Sequence, residues 1–167
     1  GTSKCFGPGV RSAFLYTPSK RHSQRISAAM RVLNVMSSPL TDALVSQWIL
    51  DGTAKQMLEA TRREAIARLR IAEALLGAKN IRSADGAFHL WLKLPNTSDW
   101  NPSELAVQLR HIGVSAVSSA AFSTDNNPPN AIRLCFGGPI SREQWEENLH
   151  QVAELIDQPS YMATGMH

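Results

Sequence analysis

The feature that most constrains the fold is a long helical stretch in the middle of the chain. Asp51-Gly52-Thr53 breaks the preceding pattern, and no proline or glycine interrupts the sequence from Thr53 to about Leu76. Gly77 follows, at the position where a left-handed residue commonly ends a helix. A helix of about 24 residues is ~36 Å long at 1.5 Å per residue, so it can span two lobes of a protein. The apolar positions that recur at helical spacing are Met57, Leu58, Ile66, Leu69 and Leu75.

Helical patterns dominate the sequence before this helix. Residues 5–11 form a turn in which Gly7 and Gly9 bracket Pro8, and residues 12–16 are then expected to form a short buried strand. A helix is predicted from Ser19 to about Asn34. The next begins at Ser37-Ser38-Pro39, where serine suits the cap and proline the first turn, and we expect Leu44, Trp48 and Ile49 to line its buried side.

Strand patterns follow the long helix. Short strands are predicted at residues 81–82, 87–94, 114–117 and 131–136, with helices near residues 101–111 and 141–156. This order predicts an α+β fold: a helical segment with a long interdomain helix, then a small α/β sandwich with a mostly antiparallel sheet. We divide the chain into residues 1–50, residues 51–158 with the long helix and the small domain, and a flexible tail at 159–167.

Composition excludes several classes of protein. The chain has 167 residues and a net charge of +3, and no apolar run approaches the ~20 residues of a membrane span. Its start does not have the pattern of a secretory signal. Cys5 and Cys135 are too far apart in sequence to suggest a disulfide framework or a metal site, which favours reduced thiols in the cytoplasm. The basic residues lack the recognition-helix or aromatic pattern of a nucleic-acid interface.

One segment near the start carries a specific motif. Taken alone, Lys4 would be an exposed lysine and Arg11 a surface arginine. The string Ser3-Lys4-Cys5-Phe6-Gly7-Pro8-Gly9-Val10-Arg11 resembles the lysine loop of fold-type I enzymes that depend on pyridoxal 5'-phosphate (PLP). The resemblance implies that Lys4 is the Schiff-base lysine and that Arg11 binds the cofactor phosphate. A turn between them would let an amine and a planar guanidinium reach the same small molecule.

Three further segments resemble one subgroup of that superfamily. They are Asp51-Gly52-Thr53-Ala54, residues 88–95 (FHLWLKLP) and residues 131–137 (AIRLCFG), and with the lysine loop the similarity covers nearly all of residues 2–158. The subgroup is the MocR/GntR family of transcription regulators, which join a winged-helix DNA-binding domain to an aminotransferase-like domain. By this resemblance Arg133 binds the α-carboxylate of an amino-acid-like effector or substrate. The alternative is a strand arginine that faces solvent or an acidic neighbour.

The sequence departs from the family pattern at one place. The family has a serine three residues before the lysine, where this chain has Gly1. The residues that contact the cofactor ring in the family have no counterpart here, so we expect the chain to be the C-terminal part of a longer protein. Such proteins are usually homodimers, and the intact protein is expected to dimerise.

Three functions remain open from the sequence. The first is the effector-sensing domain of a regulator, which reaches DNA only through a winged-helix domain outside this chain. The second is a free-standing PLP-dependent aminotransferase. The third is an isolated fragment that binds no cofactor, since half of the site lies elsewhere, and such a fragment would be inactive as an enzyme. The sequence does not decide whether turnover occurs.

Overall fold

The computed structural model describes residues 1–160, and contacts divide the chain into two compact units. The first contains residues 1–61 and the second begins at Arg62, so the division falls inside the long helix. Within residues 1–160, every helix is too short or too polar to cross a membrane. Most of the tail expected to be flexible, from residue 161 onward, lies outside the described residues.

The first unit is helical, and its helices begin where the sequence predicts. Its elements are α1 (Ser3–Phe6), α2 (Lys20–Leu33), α3 (Pro39–Leu50) and the first turns of α4 (Thr53–Leu76). The Ser19 hydroxyl caps α2 by accepting from the His22 N–H. Ser38 caps α3 in the same way, with Pro39 in the first turn. These caps offset the unpaired N–H groups of a helix start, which is why both predicted boundaries are confirmed.

Two sequence predictions for this unit are wrong. Residues 12–16 form no strand: Phe14 and Tyr16 are exposed, and the backbone from 13 to 18 pairs with no strand among the described residues. A strand exists only through its neighbour, which the local pattern does not specify. On α3 the fully buried side chain is Val45, whereas Leu44 and Ile49 are exposed. Of the three residues expected to be buried there, Trp48 is half-buried.

The second unit is an α+β sandwich. Strands β1 (Ile81–Arg82), β2 (His89–Lys93), β3 (Ala116–Ser118) and β4 (Ala131–Cys135) form one antiparallel sheet in the order β1-β2-β4-β3. The helices of this unit are the C-terminal part of α4, α5 (Pro102–His111) and α6 (Arg142–Asp157). Gly77 has a φ of 80° directly after α4, as predicted for its left-handed end.

One face of this sheet supplies the core. Leu90, Leu92, Ile132 and Leu134 alternate with outward residues along β2 and β4 and are almost fully buried. They belong to one cluster with apolar side chains from α4, α5 and α6, including Trp145. The opposite face of the sheet carries Arg133 and Trp91, as the alternation predicts.

A buried arginine fixes the segment that follows β4. Arg68, on α4, donates from Nη1 to the carbonyl oxygens of Phe136 (2.6 Å) and Gly138 (3.1 Å), and from Nη2 to that of Ile140 (2.6 Å). Its Nε lies 2.8 Å from a carboxylate oxygen of Glu64. Its guanidinium is therefore paired on both sides, as a buried charge requires. The contact anchors the end of the strand that carries Arg133.

Candidate functional site

The lysine loop is closed by one buried threonine. The Thr2 hydroxyl donates to the carbonyl oxygens of Val10 (3.0 Å) and Ser12 (2.7 Å), and the Thr2 N–H donates to Ser12 at 2.9 Å. At the far end, Val10 N–H donates to the carbonyl of Gly7, whose φ of 110° favours glycine. The predicted turn is therefore present, and the backbone segments that carry Lys4 and Arg11 are held together.

Lys4 and Arg11 project from this closed loop. Lys4 lies on the single turn of α1, and both side chains are exposed. Neither makes a hydrogen bond or salt bridge to another residue within 1–160. An amine and a guanidinium without protein partners are free to bind an aldehyde and a phosphate, so the residues present fit PLP. The structure leaves the assigned roles as predictions.

A second anchor holds the loop to the helix behind it. The Ser12 hydroxyl donates to Asp42 Oδ1 at 2.6 Å, and the Ser37 hydroxyl donates to Oδ2 of the same carboxylate. These two hydrogen bonds lower the pKa of Asp42 below its ordinary value, that from Ser12 contributing more. The carboxylate is thus satisfied by hydroxyl groups and leaves the guanidinium of Arg11 unpaired.

Arg133 lies in a row of side chains that crosses the whole sheet. Strand pairing places Arg82 opposite Trp91, Trp91 opposite Arg133, and Arg133 opposite Val117. Paired residues share a face of the sheet, so all four side chains lie on the face away from the core. The sequence alone places Arg133 on this face, but its neighbours in the row depend on the register.

The guanidinium of Arg133 has aromatic contacts and no counterion. Its Cζ lies 4.5 Å from the centroid of the Phe122 ring, and that ring stands edge-on to Trp91 at 5.2 Å. Its Nε is buried and has no hydrogen-bond partner among the described residues. Arg68, by contrast, has four such contacts. The acidic-neighbour alternative for Arg133 therefore has no support within residues 1–160, and a carboxylate would satisfy its unpaired N–H groups.

A groove of about 600 Å³ lies beside this row. Trp91 and Phe122 form its aromatic walls, and Lys79, Arg82 and Lys93 bring three positive charges to it. No acidic side chain lines it within the described part of the chain. The remaining lining residues are Asn80, Ser119, Ser123, Thr124, Pro129, Asn130 and Ala131.

Sequence reasoning did not find this groove. The alternation along β2 predicts Trp91 on the outer face, but Phe122 belongs to a 3-10 turn (Ser119–Phe122) with no recognisable pattern. Arg82 and Lys93 belong to different strands, and the β1–β2 and β2–β4 pairings bring them to one face. A register prediction for the hairpin of β1 and β2 was the one signal that could have joined Arg82 to Trp91.

Comparison with solved structures places the fold. The chain superimposes on the α-aminoadipate aminotransferase LysN from Thermus thermophilus, solved with N-(5'-phosphopyridoxyl)-L-leucine, with a TM-score of 0.74 and 21% identity. An archaeal alanine:glyoxylate aminotransferase gives the same TM-score of 0.74 and 21% identity. Each alignment covers 93% of this chain but only 40% and 39%, respectively, of the matched structure.

The sequence comparisons add nothing to this result. No protein-family model matches the chain, and no curated protein matches it. At 21% identity the structural similarity establishes the fold alone. On that evidence, the chain has the fold of the C-terminal portion of fold-type I, PLP-dependent aminotransferases.

Proposed function

We propose that this chain is part of an aminotransferase-like domain that binds PLP through Lys4 and Arg11, and that the domain senses an amino-acid-like effector for a MocR/GntR-type regulator. The observation that carries the proposal is the closed loop between Thr2 and Ser12. It presents an unpaired amine and an unpaired guanidinium in the order typical of a PLP lysine loop. The fold of the chain is the one in which such loops occur.

The two loop residues have separate tasks in this proposal. Arg11 binds the phosphate through the planar fork of its guanidinium, which sets the position of the cofactor. The Lys4 amine bonds covalently to the aldehyde carbon and is released when an incoming amino group replaces it. When bound, PLP supplies an electron sink for bonds at the α-carbon of that amino compound. Lys4, once released, can also take up or deliver a proton.

Arg133 orients the amino compound. Its unpaired guanidinium matches a carboxylate in charge and shape, and the Phe122 ring beside it holds the side chain in place. An arginine without a protein counterion keeps its full capacity for an anionic ligand. We infer that Arg133 binds the α-carboxylate while Lys4 exchanges with the amino group.

The regulator and a free-standing aminotransferase differ in outcome. The regulator is favoured by the three segments at residues 51–54, 88–95 and 131–137 that resemble the MocR family, and the enzyme by the names of the matched structures. In the regulator, ligand binding changes a winged-helix domain's affinity for DNA, and the intact protein is a cytoplasmic homodimer. An assay for 2-oxo acid formation separates the two: the regulator forms none beyond one equivalent per site.

Cofactor attachment is tested on the full-length protein that contains this sequence. With added PLP we expect visible absorption, abolished in Lys4→Ala and retained in Lys20→Ala, which removes an exposed lysine of α2. Visible absorption of equal strength in Lys4→Ala would refute the assignment. The 167-residue chain alone is expected to bind PLP weakly or not at all, since the ring-binding residues of the family have no counterpart here, and equilibrium dialysis measures this.

A further inference from the structure

We propose that the groove beside Arg133 is a second anion subsite, so that the amino compound bound by this domain carries a distal carboxylate or phosphate group. The inference rests on the proposed function, in which Arg133 holds the α-carboxylate. It adds a substrate class: doubly anionic amino compounds in preference to neutral ones of the same length.

Strand register supplies the geometry. Arg82 and Arg133 both pair with Trp91, one from each side, so they flank it on the same face of the sheet. Neighbouring strands lie roughly 4.8 Å apart, which puts the two arginine backbones about 10 Å from each other. Side chains as long as arginine can reach opposite ends of one small ligand across that distance. Trp91 forms the floor between them.

The charges of the groove lack partners. Lys79, Arg82 and Lys93 make no hydrogen bond or salt bridge to any residue within 1–160. Cations elsewhere in the chain behave differently: Lys55 pairs with Glu59, and Arg142 pairs with Glu64 at 2.8 Å. Three like charges around one concavity attract anions and repel further cations. This lining therefore selects an anionic group and not merely a polar one.

The hydroxyl groups nearby do not provide an alternative recognition mode. Ser119 donates to the carbonyl of Pro129 at 2.5 Å, and Ser123 donates to Asp125 at 2.6 Å. Both are already used within the chain, so the cations are the free donors of the groove. The aromatic walls, Trp91 and Phe122, pack against the carbon chain that connects the two anionic ends.

Carboxylate and phosphate share the chemistry that this lining recognises. The fork of Arg82 binds either group in a bidentate manner, and Lys79 and Lys93 add point charges that suit both. Two matched pairs of probes separate these sources. L-glutamate and L-glutamine differ in the distal carboxylate, whereas O-phospho-L-serine and L-serine differ in the phosphate.

The test uses the full-length protein loaded with PLP, titrated with each probe and followed by visible absorption. The anionic member of at least one pair is expected to bind roughly 10- to 100-fold more tightly, the range for hydrogen bonds to charged groups. Arg82→Ala and Lys93→Ala should each remove most of this preference while leaving the neutral member unchanged. Arg70→Ala removes an equal charge from the exposed side of α4 and should keep the preference.

Each outcome has a definite meaning. A preference in one pair only identifies the distal group, and a preference lost in the groove variants supports the subsite. Equal binding of both members in both pairs, or a preference untouched by Arg82→Ala and Lys93→Ala, would overturn the subsite and leave the proposed function intact. If the protein acquires no visible absorption with PLP, the proposed function itself fails, and this inference with it. Arg82 and Lys93 are exposed, so both variants should fold.

Discussion

The guanidinium of Arg133 lies 4.5 Å from the centroid of the Phe122 ring, while its Nε has no hydrogen-bond partner among the described residues. A buried N–H without a partner costs free energy unless a ligand satisfies it. The ring keeps the guanidinium in position without using its hydrogen-bonding capacity. This combination is what a carboxylate site requires.

Replacement of Arg133 by alanine is expected to weaken binding of amino-acid ligands to the PLP-loaded protein by ~2–4 kcal/mol, because one partner of a desolvated charge pair is lost. Titration followed by visible absorption measures the change. Arg133→Lys should recover only part of the affinity, since a lysine lacks the bidentate fork. Unchanged affinities in Arg133→Ala would reject the role in carboxylate binding.

Replacement of Thr2 by valine is expected to loosen the lysine loop. The change removes a buried hydroxyl that two carbonyl groups share, those of Val10 and Ser12, at nearly constant side-chain volume. Leaving these acceptors less satisfied should lower the free energy of unfolding by about 1–2 kcal/mol. Affinity for PLP should fall as well, because Lys4 and Arg11 are no longer held in one loop.

Thr17→Val provides the matched control, because the Thr17 hydroxyl makes no hydrogen bond to a described residue. Urea unfolding and PLP titration are carried out on both variants. Wild-type affinity for PLP in Thr2→Val, alongside the expected loss of stability, would show that loop closure does not position the cofactor residues.

Glu64 should make stability depend on pH in the acid range. Hydrogen bonds from Arg142 and then Arg68 lower its pKa from 4.5 to about 2. A depressed pKa stabilises the fold above pH 4.5, and the contribution is lost as pH falls from 4.5 towards 2. Because the Glu64 side chain is 37% exposed, solvent screening reduces the contribution to about 1 kcal/mol.

The measurement compares urea unfolding of the wild type and Glu64→Gln at several pH values. The free energies of unfolding should differ near neutral pH and converge as the pH falls below 4.5. Glu59→Gln is the control on the same helix, since Glu59 contacts Lys55 only at 4.0 Å on the surface. A difference that stays constant down to about pH 3 would contradict the assignment of the low pKa to Glu64.

Much of the fold follows from local sequence signals. Ser19, Ser38 and Gly77 mark helix ends by their own chemistry, and the alternation around Leu90 and Leu92 identifies a strand with one buried face. Such signals depend on a few neighbouring residues. That is why these boundaries and the α+β class were predicted correctly.

The errors and omissions involve contacts between residues distant in sequence. Residues 12–16 have a strand-like composition, but pairing with another strand decides whether a strand forms, and none pairs with them within 1–160. The row of Arg82, Trp91 and Arg133 depends on register across three strands. For the site, the motif indicated Lys4 and Arg11 directly, whereas the cationic groove became visible only in three dimensions.

The most direct test of the account is the chemical identity of the lysine that holds PLP. The full-length protein is loaded with PLP, reduced with borohydride, digested and analysed by mass spectrometry. The account predicts the pyridoxyl group on Lys4, in the peptide that contains the Gly7-Pro8-Gly9 turn. A label on another lysine, or no label after saturation with PLP, would contradict it.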